Sequence, residues 1–183
     1  MNIKKYINSL WRNIDCKYTK DTSLVCIRDK NWKCSLSLLR RHVIIGERYI
    51  ADELEKHGEE DGKQIVLHSI GHELTHKGDK YFYRTAFPVT KRYSVISKIN
   101  EVHADYGGAV IAKLSKDDFV EVMEIKWGDM SDEESKTHPS HRQRIKYAKI
   151  GSFDNKLVQT ICDDNGYKES KEFYGMYEDI RLE

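Results

Sequence analysis

Apolar side chains recur at Ile3, Tyr6, Ile7, Leu10, Trp11 and Ile14. That three-and-four spacing predicts a short amphipathic helix over residues 3–14. Thr22–Ile27, a stretch within Trp32–Leu39, and His42–Ile45 then run apolar over strand lengths, with the turn-like Asp29-Lys30-Asn31 between the first two and Gly46 closing the third. Three short strands so close together predict a small antiparallel or mixed sheet. From Glu47 the period lengthens again. A helix is expected to about His57, a connection over 58–62, and a second helix over about 63–77 that ends at Gly78-Asp79. Tyr81–Tyr93 carries five aromatic residues and Pro88 without periodicity, and reads as a loop. Ser94 is the expected N-cap of a long helix to about Leu114. Ser115 with Asp118, Ser131 with Glu134, and Ser140 with Gln143 have the spacing of capping boxes. These would open helices over 117–127 and up to about Ile150, followed by a turn or two at 157–162. The tail to Glu183 is charged and tyrosine-rich and gives no assignment. The pattern as a whole reads as a mostly helical α+β chain with a small N-terminal sheet.

Composition narrows the class. The chain has 183 residues, 39% hydrophobic and 33% charged, with a formal charge of +1. That length suits one domain, with a core over about 22–150 and flanks at 1–21 and 151–183. A near-neutral chain with dispersed Lys and Arg gives no field for nucleic acid or an anionic membrane. No apolar run is long enough to span a bilayer, and the basic start at Met1–Ile7 leads into no signal-peptide core. Cys16, Cys26, Cys34 and Cys162 match no metal or redox spacing, so free thiols in the cytoplasm are expected.

The chemistry gathers in Gly71-His72-Glu73-Leu74-Thr75-His76. Histidines four apart on a helix share one face and can hold one metal ion, with Glu73 beside them to take a proton from water. Shuffling this composition would produce H-E-x-x-H in roughly 3% of chains. Two histidines are one ligand short of the usual three. Glu101 is the expected third. Asp105, one turn further on, is placed to accept a ligand histidine's other ring N–H. His103 lies about 160° from Asp105 around a helix and is disfavoured as a ligand. Gly107, Gly108, Ala109 and Ala112 make this second helix small enough for close approach. His68 reads as structural or as a surface group.

Taken in order, His72-Glu73-Leu74-Thr75-His76, Glu101-Val102-His103-Ala104-Asp105 and Thr137-His138-Pro139, with Arg144 beyond, resemble the gluzincin metallopeptidases. More narrowly, they resemble the family of HtpX and the CAAX-prenyl endopeptidases, over roughly residues 40–150. The resemblance implies a zincin-like fold, one Zn2+ held by His72, His76 and Glu101, and hydrolysis of peptide bonds in a peptide or protein substrate. It implies Glu73 as general base, Asp105 as support for a ligand histidine, His138 at the developing oxyanion, and Arg144 beside the site. His141 is a weaker candidate for the role of His138. The well-known members carry membrane-spanning helices, and this chain has none. It is more similar to the small gluzincins that keep little beyond the two metal helices. A terminal segment, 163–183 or 1–20, is a candidate for covering the cleft. The alternatives are a regulatory metalloprotease that cuts one partner such as a repressor, and a zinc-bound scaffold without activity.

Overall fold

The computed structural model describes residues 2–37, 39–79, 81, 89–128, 132–133 and 135–183. Helix α1 (Ile3–Arg12) is capped by Asn2, whose side chain accepts the Lys5 N–H at 3.0 Å, and buries Ile7 and Leu10. Strands β1 (Ser23–Ile27), β2 (Ser35–Leu36) and β3 (His42–Gly46) form a mixed sheet in the order β1-β3-β2. β1 runs parallel to β3 with Leu24 opposite Val43, and β2 is antiparallel to β3 with Leu36 opposite Val43. Val43 and Ile45 of the central strand are fully buried, and β2 is an edge. Gly46 is required at the end of β3. A Cβ there would lie 2.1 Å from the Lys30 carbonyl oxygen, because residues 30–32 cross it closely enough for Gly46 N–H to bond Trp32 O at 2.7 Å.

Helix α2 (Glu47–Thr75) changes direction at Gly58, whose φ of 82° and ψ of 173° are readily open only to glycine. The expected five-residue connection is this single residue, and helical geometry resumes directly after it. The two arms then press together, since a Cβ on Gly62 would stand 2.7 Å from the Glu53 carbonyl oxygen. One further 3-10 turn, His76–Gly78, ends the segment.

Helix α3 (Lys91–Ala112) begins earlier than expected. Thr90, not Ser94, is its N-cap and accepts the Tyr93 N–H. Ser94 instead donates to the Lys136 carbonyl at 2.6 Å. Helix α4 (Lys116–Trp127) and helix α5 (His141–Ala148) open on complete capping boxes, Ser115 with Asp118 and Ser140 with Gln143. The Ser131–Glu134 pair and residues 82–88 lie outside the described residues. Helix α6 (Asn155–Asp164) is capped by Asp154. The tail, which the pattern left unassigned, makes a 3-10 turn, and its strand β5 (Ile180–Arg181) pairs with β4 (Ser152–Phe153).

Two apolar clusters result. Ile7, Val43, Ile45, Ile50, Val66, Ile70 and Leu74 fill one between the sheet, α1 and α2. Ile65, Ile99, Tyr106, Phe119, Phe153, Leu157 and Phe173 are in the other. The second arm of α2 contributes to both, so its remaining face is held rigidly between them. No helix among the described residues is long and apolar enough to cross a membrane.

Candidate metal centre and cleft

The second arm of α2 packs along α3 at unusually close range. Gly71 would meet Gly108 Cα and Ile111 Cβ at 2.9 Å if it carried a Cβ. Gly107 would meet Thr75 Oγ1 at 2.1 Å, and Gly108 the His68 carbonyl oxygen at 2.7 Å. Missing side chains at these three positions let the helices approach until His72 and His76 face Glu101 and Asp105. His72 Nε2 lies 3.0 Å from His76 Nε2 and 3.4 Å from Glu101 Oε2, and His76 Nε2 lies 3.5 Å from Glu101 Oε1. One ligand atom from each lies within 4.8 Å of the others, so this cluster could hold a metal ion.

The donor chemistry suits a cation. His72 Nδ1 is 3.0 Å from Asp105 Oδ1, and His76 Nδ1 is 2.6 Å from Asp79 Oδ2. With both Nδ1–H groups donated to carboxylates, both Nε2 lone pairs point at one spot, where they repel unless a proton or metal lies between. A tetrahedral site with metal–ligand bonds of ~2.0–2.1 Å has ligand–ligand edges of about 3.3 Å. The two Nε2 atoms, 3.0 Å apart, are close to that edge, and each faces a different oxygen of the Glu101 carboxylate, at 3.4 and 3.5 Å. The surrounding charge favours cations too. Burial alone would lower the His76 pKa, but Asp79 and Glu101 outweigh it and carry it up to about 10. Burial likewise opposes ionisation of Glu101, yet His76, His72 and Arg144 hold it well below the usual carboxylate range.

Asp105 is braced from a third element. Arg144 of α5 donates Nε–H to Asp105 Oδ2 at 2.9 Å and Nη2–H to Oδ1, and its Nη1 is 3.7 Å from Glu101 Oε2. A two-pronged guanidinium–carboxylate contact fixes orientation as well as charge. Trp127 lies over this guanidinium at 4.8 Å, and the His141 ring stacks on Trp127. His141 is thereby occupied away from Glu101. His138 is the histidine that reaches the cluster, with Nε2 3.3 Å from Glu101 Oε1. Its loop is tied to α3, where Ser97 donates to the Thr137 carbonyl, and Ser135 Oγ accepts the His138 N–H at 2.9 Å.

Glu73 is on the same helical arm but outside the ligand triad. It accepts the N–H of Leu36, on edge strand β2, at 2.8 Å. Two cavities of about 400 and 410 Å³ adjoin the cluster, and both are walled in part by Cys34, His72, Glu73, Glu101 and His138. The residues that line them come from 33–36, α2, the 76–79 turn, α3, α4, residues 137–138 and α5, with none from 1–20 or 151–183 among the described residues.

His68 and His103 lie away from the ligand cluster. His68 is fully buried, with Nε2 donating to the Asp105 carbonyl at 3.1 Å. His103 packs against Phe153 and Tyr177 on the far side of α3, where burial pulls its pKa down to about 4. Sequence reasoning missed Asp79, which it took only as part of the helix terminus. It also missed Arg40, whose guanidinium donates to the His76 carbonyl, and Trp127. For Asp79 a signal existed, an acidic residue three positions beyond a ligand histidine. Arg40 and Trp127 are distant in the chain and gave none. Comparison with protein-family models, with curated proteins and with solved structures returns no match.

Proposed function

We propose that the protein is a zinc-dependent endopeptidase of zincin-like fold. The observation that carries the reading is the convergence of His72 Nε2, His76 Nε2 and the Glu101 carboxylate beside a non-ligating Glu73, where two cavities share these side chains as walls. His72, His76 and Glu101 would hold one Zn2+, which when bound makes water a nucleophile near neutral pH and polarises a carbonyl.

The chain's own residues divide the remaining work. Asp105 and Asp79 accept the outer N–H groups of His72 and His76, which fixes ring orientation and raises donor basicity. Arg144 holds Asp105 ionised in a buried position. An extended substrate would pair with β2 in place of the Glu73 carboxylate, which the Leu36 N–H then releases for catalysis. Glu73 takes the proton of the attacking water and delivers it to the leaving amine. His138 donates to the carbonyl oxygen as it gains charge, a contribution of roughly 3 kcal/mol for a single well-placed donor. A zinc-bound scaffold would need neither Glu73 nor His138 at the cleft.

The test is a metal analysis of the full chain with peptide cleavage measured with and without chelator, on the wild type and on Glu73→Gln. The variant should fold and retain zinc while turnover falls by about 10²–10⁴-fold, the usual contribution of a general base. Cleavage at the wild-type rate by Glu73→Gln overturns the reading.

A further inference from the structure

We propose that the cavity on the Lys126 side of the cluster is a carboxylate-binding subsite that selects peptides presenting an acidic group beside the metal centre. This rests on the peptidase reading for what the peptide is, and on the cavity walls for which peptide it is.

Lys126 is the penultimate residue of α4, and its side chain turns inward rather than to solvent. Its ammonium donates to His68 Nδ1 at 3.0 Å and to Ser69 Oγ at 3.1 Å. Both partners are neutral. His68 spends its Nε2–H on the Asp105 carbonyl, so Nδ1 carries a lone pair, and burial together with the Lys126 charge keeps the ring from protonating. Among the described residues no carboxylate forms an ion pair with Lys126. The nearby acids are committed elsewhere. Asp105 is held by Arg144 and His72, and Glu73 accepts from Leu36. The ammonium is partly buried without a counter-anion, and burial lowers its pKa to about 8 despite those more distant carboxylates.

The ammonium also borders the cavity that contains His72, Glu73 and Glu101. Lys33 and Lys56 line the same cavity, and Lys33 and Lys126 both lie over the Trp127 ring, at 5.1 and 5.5 Å. The acids on the same walls are Glu73, Glu101 and Glu53, the last 3.6 Å from His57. The walls carry the cations of Lys56, Lys126, Arg144 and Lys33 against the carboxylates of Glu53, Glu73 and Glu101, and the Lys126 ammonium borders the cavity with neutral partners. A carboxylate entering there would meet Lys126 at the cavity wall and gain a charge-assisted hydrogen bond in place of water. A lysine or arginine side chain would be repelled.

The carboxylate can come from an Asp or Glu side chain or from the end of a peptide. Full-length Glu73→Gln protein, loaded with zinc, would be titrated with fluorescent decapeptide pools. The pools are randomised except for a central Glu, Gln or Leu, each with a free or an amidated C-terminus. The carboxylate pools should bind about tenfold more tightly than their neutral counterparts, as expected for one charged hydrogen bond. An effect of central Glu assigns the group to a side chain, and an effect of the free terminus assigns it to the chain end. The preference should vanish in Lys126→Met and persist in Lys126→Arg, with thermal unfolding reporting that each variant folds. Equal binding of Glu and Gln pools with no effect of amidation overturns the proposal, even if neither lysine variant folds. So does a preference that survives in folded Lys126→Met. Wild-type protein incubated with the same pools separates the two readings. Cleavage without acidic preference keeps the peptidase and removes the subsite. Acidic preference in binding without any cleavage keeps the subsite and removes the peptidase.

Discussion

Asp79 carries much of the argument at the scale of single residues. It lies just past the helix that bears His72 and His76, buried, with Oδ2 2.6 Å from His76 Nδ1. It performs for His76 what Asp105 performs for His72, but among the described residues no arginine pairs with it. That makes it the cleaner probe, because removing its charge orphans no buried cation such as Arg144. Asp79→Asn should leave the fold intact and weaken zinc binding about 10–100-fold, the usual effect of losing an outer-shell carboxylate. A competition titration against a metal chelator measures it, and unchanged affinity would rule out the role given to Asp79. The spacing of His72, Glu73 and His76 is legible in the chain because one helix sets their geometry. Glu101 and Asp105 are legible as a pair for the same reason. That His138 reaches Glu101 while His141 stacks on Trp127 depends on how a loop is tied down by Ser94 and Ser97, which local sequence does not state.

At the scale of elements, capping chemistry predicts starts well where a reciprocal box exists. Both boxes at Ser115 and Ser140 form as read. Ser94 looked equally suitable, but Thr90 caps α3 one turn earlier and Ser94 anchors the 136–138 loop instead. A single side-chain oxygen has several partners to choose from, and tertiary contact decides among them. The glycines of α3 are the more consequential feature. Ala normally favours a helix over Gly by ~1 kcal/mol. At Gly107 the sign should reverse, because the new methyl would fall 2.1 Å from Thr75 Oγ1, and that hydroxyl is fixed by its bond to the Gly71 carbonyl. Gly107→Ala should cost about 1–3 kcal/mol, as overpacking does. Thr75→Ala in the same chain should restore most of the loss, a coupling readable from chemical denaturation of the two single variants and the double variant.

Across the whole molecule, the C-terminal segment is structural. Phe173 is 1% exposed, the Tyr177 ring lies 5.7 Å from Phe153, and β5 pairs with β4. Among the described residues, neither 163–183 nor 1–20, the segments expected as candidates for covering the cleft, lines the two cavities, although Tyr177 donates to Asn100 on one wall. Deleting residues 170–183 should therefore cost at least ~3 kcal/mol, since Phe173 alone is worth that in a core. It should not raise peptidase activity, and a truncated chain more active than the full one would restore the latency idea. The sequence by itself determined the α+β class, most helices, and two sets of chemical groups, one on each of two helices. It could do so because helical periodicity, capping and i to i+4 spacing are local properties of the chain. Tertiary structure alone decided that the two sets meet. It also decided that Arg144 arrives from a third helix to hold Asp105, that the tail completes a core, and that Lys126 turns into the cavity. Those outcomes depend on how closely α2 and α3 can approach and on which buried charges find partners. Both are set by packing between residues far apart in the chain.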